Sequence, residues 1–242
     1  MAQLLVINPN TSGEVSSVIE ALARDEAGAE HEVRVVTARF GFPYIASRAA
    51  FAIAGHAVLD AAAEALDAGA RPDAIVLGCF GDPGLDALEE LAGLPVAGFA
   101  EAGLWEAAAE PGAFVVATRG AIWRDMLHEI VGRLGLADRV AAIACLDEDE
   151  PAAIARALSS LAAATGASRV VLGGAGLIPI MDEVTRHAEI PILDPHRAAI
   201  RKALRLAARK QRPALAEPHR GATEGLSPAL RRVLSGAFGG QR

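Results

Sequence analysis

The chain has 242 residues, 52% of them hydrophobic and 22% charged, which supplies a cooperative core and excludes the disordered class. Only 4% are aromatic while 54 residues are alanine, so the apolar material is mostly small side chain suited to close helix packing. The net charge of −7 is uneven: residues 1–195 carry 12 arginines against 28 acids, whereas residues 196–242 carry 11 basic residues against Glu217 and Glu224.

In chain order, the first apolar run predicts a strand over Gln3–Asn8, followed by helical periodicity over Glu14–Glu26. A strand follows at His31–Thr37, a helix at Ala49–Ala68, and strands at Ala74–Gly78 and Pro95–Gly98, with a helix starting near Pro83 between them. The pattern then repeats as strand Ala113–Ala117, helix Ala121–Leu134, strand Arg139–Ala144, helix Pro151–Thr165 capped by Asp149, and strands Arg169–Gly173 and Ile190–Leu193. A last helix is expected over about His196–Lys210; in 211–242 one short helix is expected at Ser227–Leu234, with Ser227 capping and Pro228 in the first turn, and the rest reads as a loose tail. Continuous apolar strands alternating with helices specify parallel sheets covered on both faces. The N-terminus has no basic region before its apolar run, and no stretch of about 18 residues reads as a bilayer span.

Ile75-Val76-Leu77-Gly78-Cys79-Phe80-Gly81 overlays Val170-Val171-Leu172-Gly173-Gly174-Ala175-Gly176 without a gap, 95 residues apart, and a proline-led strand follows each copy. Buried strands ending in glycine recur by chance, and that reading stays open. The other is an α/β fold of two pseudo-symmetric Rossmann-like halves, each a four-stranded parallel sheet flanked by helices. Residues 1–98 plus about 196–242 would form the first half and 99–195 the second, with the active site in the cleft where strand C-termini meet.

Residues 1–195 contain no lysine, and Lys202 and Lys210 are the only two in the chain. This weighs against Schiff-base and pyridoxal phosphate chemistry and removes the lysine of a phosphate-binding loop. Cys79 and Cys145 have no paired spacing and no Cys/His cluster accompanies them, so no metal or cofactor is expected and the compartment reads as a reducing cytoplasm. Cys79 follows a buried strand and precedes a helix start, a setting expected to lower a thiol pKa; the alternative is a small buried hydrophobe. Cys145 reads as a core strand residue.

Asn8-Pro9-Asn10-Thr11-Ser12 either caps the first helix or presents amide and hydroxyl groups to a ligand. Thr118-Arg119-Gly120 holds the corresponding place in the second half and suits a carboxylate or carbonyl. Asp82, Glu101 and Asp194 follow strand ends as helix caps or acids. Of His31, His56, His128, His187, His196 and His219, only His196 falls just after a strand end, either as a general acid–base or as a solvated helix start. The basic tail reads as a subunit contact or solvated helix face rather than a nucleic-acid surface, and the expected partners are a small-molecule substrate and copies of the chain in a homo-oligomer.

Val6-Ile7-Asn8-Pro9-Asn10-Thr11-Ser12, Tyr44-Ile45-Ala46-Ser47-Arg48, Gly78-Cys79-Phe80-Gly81-Asp82-Pro83-Gly84 and the Leu172-Gly173 strand end together resemble the Asp/Glu/hydantoin racemase family, nearest its hydantoin and allantoin racemases, over about residues 3–205. The resemblance implies cofactor-independent inversion at an acidic C–H by two cysteines flanking the substrate carbon. It places the first at Cys79 and the second at Gly174, where this chain has no side chain. It also implies substrate contacts at Asn10, Thr11, Ser12, Ser47, Phe80, Gly81, Thr118, Gly174 and Ala175. Backbone N–H groups near Asn10–Ser12, Gly81 and Gly174–Gly176, with Thr118, are expected to hold the oxyanion. Three outcomes follow from Gly174: another acid such as His196 or Asp82, or a water, protonates the second face; or one thiol runs a one-sided decarboxylase or isomerase reaction; or the fold binds a small molecule with little catalysis.

Overall fold

Short, nearly all-apolar strands set the architecture of the computed structural model, which describes residues 1–209, 212–213, 217–218 and 221–236. Lys210, His219 and part of the 211–242 tail lie outside the described residues. The chain runs β1 (Gln3–Asn8), α1 (Gly13–Ala27), β2 (Glu32–Thr37), α2 (Arg48–Asp67), β3 (Ala74–Leu77), α3 (Leu85–Ala92), β4 (Val96–Gly98), α4 (Phe99–Ala109) and β5 (Phe114–Thr118). It continues as α5 (Ala121–Arg133), β6 (Val140–Cys145), α6 (Pro151–Thr165), β7 (Arg169–Leu172), α7 (Met181–His187), β8 (Ile192–Leu193), α8 (Pro195–Arg209) and α9 (Pro228–Leu234).

The strands form two four-stranded sheets of one topology, β2-β1-β3-β4 and β6-β5-β7-β8; the strand pairs β1–β2, β1–β3, β5–β6, β5–β7 and β7–β8 are parallel. The 95-residue echo is the third strand of each sheet: Ala74–Leu77 and Arg169–Leu172 are equivalent, residue for residue. Hydrogen bonds repeat with them. The Gly78 N–H donates to the Ile7 carbonyl as Gly173 donates to Ala117, and Ile75 to Pro95 as Val170 to Pro191. Chance similarity of two buried strands does not reproduce matching partners at each end.

Two units result. One holds Met1–Gly78, Pro83–Ala97 and the described residues from Arg201 on; the other holds Cys79–Asp82 and Gly98–Ile200. The Cys79–Asp82 turn therefore packs with the second unit although β3, which delivers it, belongs to the first.

In the first unit, Leu5, Ile7, Ile75 and Leu77 of the sheet bury against Val58, Ala61, Ala62 and Ala65 of α2 and Leu88 of α3. Each large side chain contributes about 1.5–3 kcal/mol by leaving water. Contrary to the sequence expectation, α2 is long and apolar enough to cross a membrane by length and composition; 56% of that window is buried, and its alanine face is core. The second unit buries Val115, Ala117, Val170 and Leu172 against Ile154, Ala155 and Leu158 of α6. Ser12, Ser47 and Ser227 cap α1, α2 and α9 by accepting backbone N–H bonds. At α6 the cap position falls on Glu150, without a side-chain bond, because Asp149 turns to Arg119 at 3.1 Å. In the C-terminal segment the expected short helix is α9, and its Ala229 and Leu230 bury against Ala63 of α2.

Candidate active site

Cys79, Phe80, Gly81 and Asp82 form a turn closed on itself, with the N–H groups of Gly81 (2.8 Å) and Asp82 (3.2 Å) both donating to the Cys79 carbonyl. Asp82 holds a left-handed φ of 54°, uncommon for a residue with a side chain. What holds it there is α4: Asp82 Oδ1 accepts from the Ala100 N–H at 3.1 Å and Oδ2 from Glu101 at 2.7 Å. Both oxygens thus satisfy first-turn donors that would otherwise lack partners, and the negative charge suits the helix N-terminus. The approach is close enough that a Cβ at Gly98 would lie 2.3–2.5 Å from the carboxylate, so only glycine fits there.

The Cys79 thiol is buried. Burial and the neighbouring Asp82 carboxylate push it far above its ordinary value, with the Asp82 backbone hydrogen bond pulling weakly the other way. The sequence expectation had the opposite sign. A helix end does follow in the chain, but the nearest formal charge is negative and water is excluded, so the group rests as S–H.

Phe80 lies across the end of β7: a Cβ at Gly173 would fall 2.5–2.6 Å from its ring. Beside it Gly174 adopts φ 138° and ψ 141°, a conformation that L side chains rarely take. A Cβ built on Gly174 would meet only Thr118 Oγ1 at 3.5 Å and Leu177 Cδ1 at 3.7 Å, ordinary contact distances. Thr118 itself is buried at the end of β5. Ala175 opens the 3₁₀ turn Ala175–Ile180.

His196 is fully buried rather than solvated. Its Nδ1 stands 2.6 Å from Asp194 Oδ1, and its Nε2 accepts the Gly174 N–H at 3.4 Å. Phe99 packs edge-on at 4.9 Å between centroids, and Phe80 sits at 6.5 Å. The Gly174 N–H thus faces one ring nitrogen and the Asp194 carboxylate the other. Burial works to raise the Asp194 carboxyl, but the His196 hydrogen bond and the backbone N–H groups of His196 and Arg197 hold it below its ordinary value.

The remaining expected residues lie in the first unit. Asn8, fully buried, organises the turn after β1: its Nδ2 donates to the Ser12 carbonyl (3.1 Å) and Ser16 Oγ (2.9 Å), and its Oδ1 accepts from Asn10 N–H (3.0 Å). Asn10 is buried with its Oδ1 lacking a hydrogen-bond partner among the described residues. Thr11 N–H donates to the Phe42 carbonyl at 3.0 Å. Ser12 Oγ and Ser47 Oγ are occupied as caps.

The structure thus gathers Cys79, Phe80, Gly81 and Asp82 in one unit with Thr118, Gly174, Ala175 and His196, and leaves Asn10, Thr11, Ser12 and Ser47 in the other. Four of the amides expected to hold an oxyanion already donate within the protein: Asn10 and Gly81 inside their own turns, Thr11 to the Phe42 carbonyl and Gly174 to His196 Nε2. Arg119 is turned away to the Glu148 carbonyl (2.9 Å) and Asp149. Cys145 ends the edge strand β6, half-buried, rather than sitting in the core. Gly98 and Phe99 are not singled out by sequence as site residues; a glycine closing the fourth strand was the available signal. Among the described residues no group of three or more His, Cys, Asp or Glu is placed to hold a metal ion.

Residues 4–203 match the family described as Asp/Glu/Hydantoin racemase. The chain is 31% identical over 216 residues to a hydantoin racemase of Paenarthrobacter aurescens, covering 85% of this chain and 91% of the relative. In three dimensions it is similar to the allantoin racemase from Klebsiella pneumoniae, with a TM-score of 0.79, 28% identity and coverage of 93% and 97% of the two chains. The allantoin racemase from Pseudomonas fluorescens shares the fold at a TM-score of 0.81 and 23% identity, over 91% of this chain and 100% of that one.

Proposed function

Because the chain belongs to the Asp/Glu/hydantoin racemase family and is thereby an isomerase of the racemase class, we propose that it inverts an acidic C–H beside a carbonyl in a hydantoin-type or amino-acid-derived substrate, with Cys79 exchanging the proton. The observation that carries this reading is the Cys79–Asp82 turn, which packs a buried thiol in one unit with Thr118, Gly174 and His196. The ring carbonyl beside C5 acidifies the C5–H of a hydantoin, so a thiol base serves without a cofactor. After its own S–H proton passes to water, Cys79 as thiolate takes the substrate proton: a new S–H bond forms, the C–H bond breaks, and the electron pair spreads into the ring carbonyl as an enolate. The Thr118 hydroxyl is the donor for the developing oxyanion. Asp82 spends both oxygens on α4 and His196 both ring nitrogens on Asp194 and Gly174, so the second face takes its proton from water. A homo-oligomer in the reducing cytoplasm, where Cys79 stays reduced, completes the reading.

Incubation with a 5-substituted hydantoin in D2O tests it. Deuterium enters C5 and optical rotation decays with wild type, and both stop with Cys79→Ser. If neither occurs on hydantoins or amino acids, the reading fails in favour of a binding protein. Gly174 favours one further reading, a one-thiol decarboxylase or isomerase of small carboxylates; deuterium exchange with retained handedness would point to it.

A further inference from the structure

We infer that His196 is a positioning residue that holds the Gly174 turn through its Nε2 lone pair, and that it donates no proton to substrate. Three observations combine. The Gly174 N–H points at Nε2 (3.4 Å), which makes that nitrogen an acceptor; a ring that accepts there and is neutral must carry its proton on Nδ1, and Nδ1 stands 2.6 Å from an Asp194 carboxylate. The imidazole is fully buried, with Phe99 edge-on against it, so both edges are committed and neither meets solvent. The group it holds is not incidental. Gly174 has a φ of 138°, reached only by glycine at low cost, directly before the 3₁₀ turn Ala175–Ile180 and beside Thr118. Asp194 is fixed in turn, because its Oδ1 also accepts the His196 N–H at 2.8 Å at the start of α8. The chain of contacts runs from helix start to carboxylate, to imidazole, to the glycine peptide at the reacting centre.

This role rests on the function proposed above, and two variants separate it from a merely structural one. His196→Asn keeps a donor toward Asp194 but has nothing at the reach of Nε2. His196→Gln extends an amide oxygen to that reach and restores an acceptor for Gly174. A buried N–H left without its partner corresponds to about a 5- to 160-fold loss. His196→Asn is therefore expected to lower kcat for C5 exchange by that factor, with KM changed less than about threefold, while His196→Gln recovers most of it. Amide hydrogen exchange at Gly174 follows the same order, fast in His196→Asn and protected again in His196→Gln.

The imidazole 15N shifts of the wild-type protein read the tautomer directly and do not depend on activity: Nδ1 protonated and Nε2 bare supports the assignment. A proton on Nε2 overturns it. So does a folded His196→Asn with unchanged kcat, or a His196→Gln no better than His196→Asn. If wild type exchanges no hydantoin, the proposed function fails, and the 15N shifts with Gly174 amide protection still decide whether His196 holds the turn.

Discussion

Gly174→Cys puts a thiol where the family resemblance places the second proton donor, and the structure separates its cost from its gain. The cost is conformational. At φ 138° and ψ 141° the residue lies next to the region that is essentially glycine-only, where a side chain costs about 1–3 kcal/mol. Sterics add little, since the nearest atoms to the new Cβ are Thr118 Oγ1 at 3.5 Å and Leu177 Cδ1 at 3.7 Å. For a chain of this length 1 kcal/mol lowers Tm by roughly 2–4 °C, so a fall of about 2–12 °C is expected. The gain is a positioned donor on the second face, which commonly contributes about 10²–10⁴-fold. Decay of optical rotation of a 5-substituted hydantoin should accelerate at least about 10²-fold over wild type. Gly174→Ala carries the same strain without the thiol, so it should match the fall in Tm and show no acceleration. An unchanged Tm in both variants refutes the strain argument. A folded Gly174→Cys no faster than Gly174→Ala refutes the placement of the second donor.

Asp82→Asn removes the charge that helps hold the Cys79 thiol protonated while keeping an oxygen for the α4 cap. Alkylation of Cys79 by iodoacetamide at pH 8 should quicken and unfolding free energy should fall by about 0.5–2 kcal/mol, and an unchanged alkylation rate would show that burial alone sets the thiol. The raised Cys79 pKa also makes stability fall in alkali. Below the ordinary value of 9.0 both states keep the proton; above it the unfolded chain ionises first, so that contribution is lost as pH rises. Between pH 8 and pH 10 wild type should lose about 1.4 kcal/mol more than Cys79→Ala in urea titrations, and equal losses would contradict the burial argument. Leu230→Ala, in the α9 helix beyond the family match, should cost about 2–5 kcal/mol if α9 is part of the folded unit, and near zero by urea melt if it is not.

The strand pattern was legible because parallel strands buried on both faces read as unbroken apolar runs, and β1 and α6 fall on their expected bounds. The 95-residue echo located the third strand of each sheet. What sequence did not carry was non-local. α4 follows β4 with no turn between them, and its start, Phe99-Ala100-Glu101-Ala102-Gly103-Leu104, is preceded by no polar cap residue; the cap is Asp82, eighteen and nineteen positions before the two amides it binds. His196 reads as a solvated helix start because Asp194-Pro195 precedes it, yet Phe99 and the Gly174 turn enclose it. The sign of the Cys79 shift depended on where the Asp82 charge settled, which no spacing encodes.

The two sheets repeat closely, and the proposed chemistry sits where the repeat fails. Gly78 and Gly173 are equivalent, each donating to the neighbouring strand, and the next residue is Cys79 in one copy and Gly174 in the other. An enzyme with a thiol on one side only cannot treat two enantiomers alike at the level of the proton, although their equal free energies force kcat/KM for inversion to be equal in both directions. The difference must appear in the recovered substrate. From the enantiomer whose C–H faces Cys79, the proton rests on a buried sulfur and can return before it exchanges. From the other enantiomer it passes to water and is lost at once. In D2O, unreacted substrate should therefore gain deuterium much faster for one hand than for the other, and Gly174→Cys should bring the two rates together. Equal incorporation by the wild-type protein would mean that a second buried donor exists and that the broken repeat does not govern the reaction.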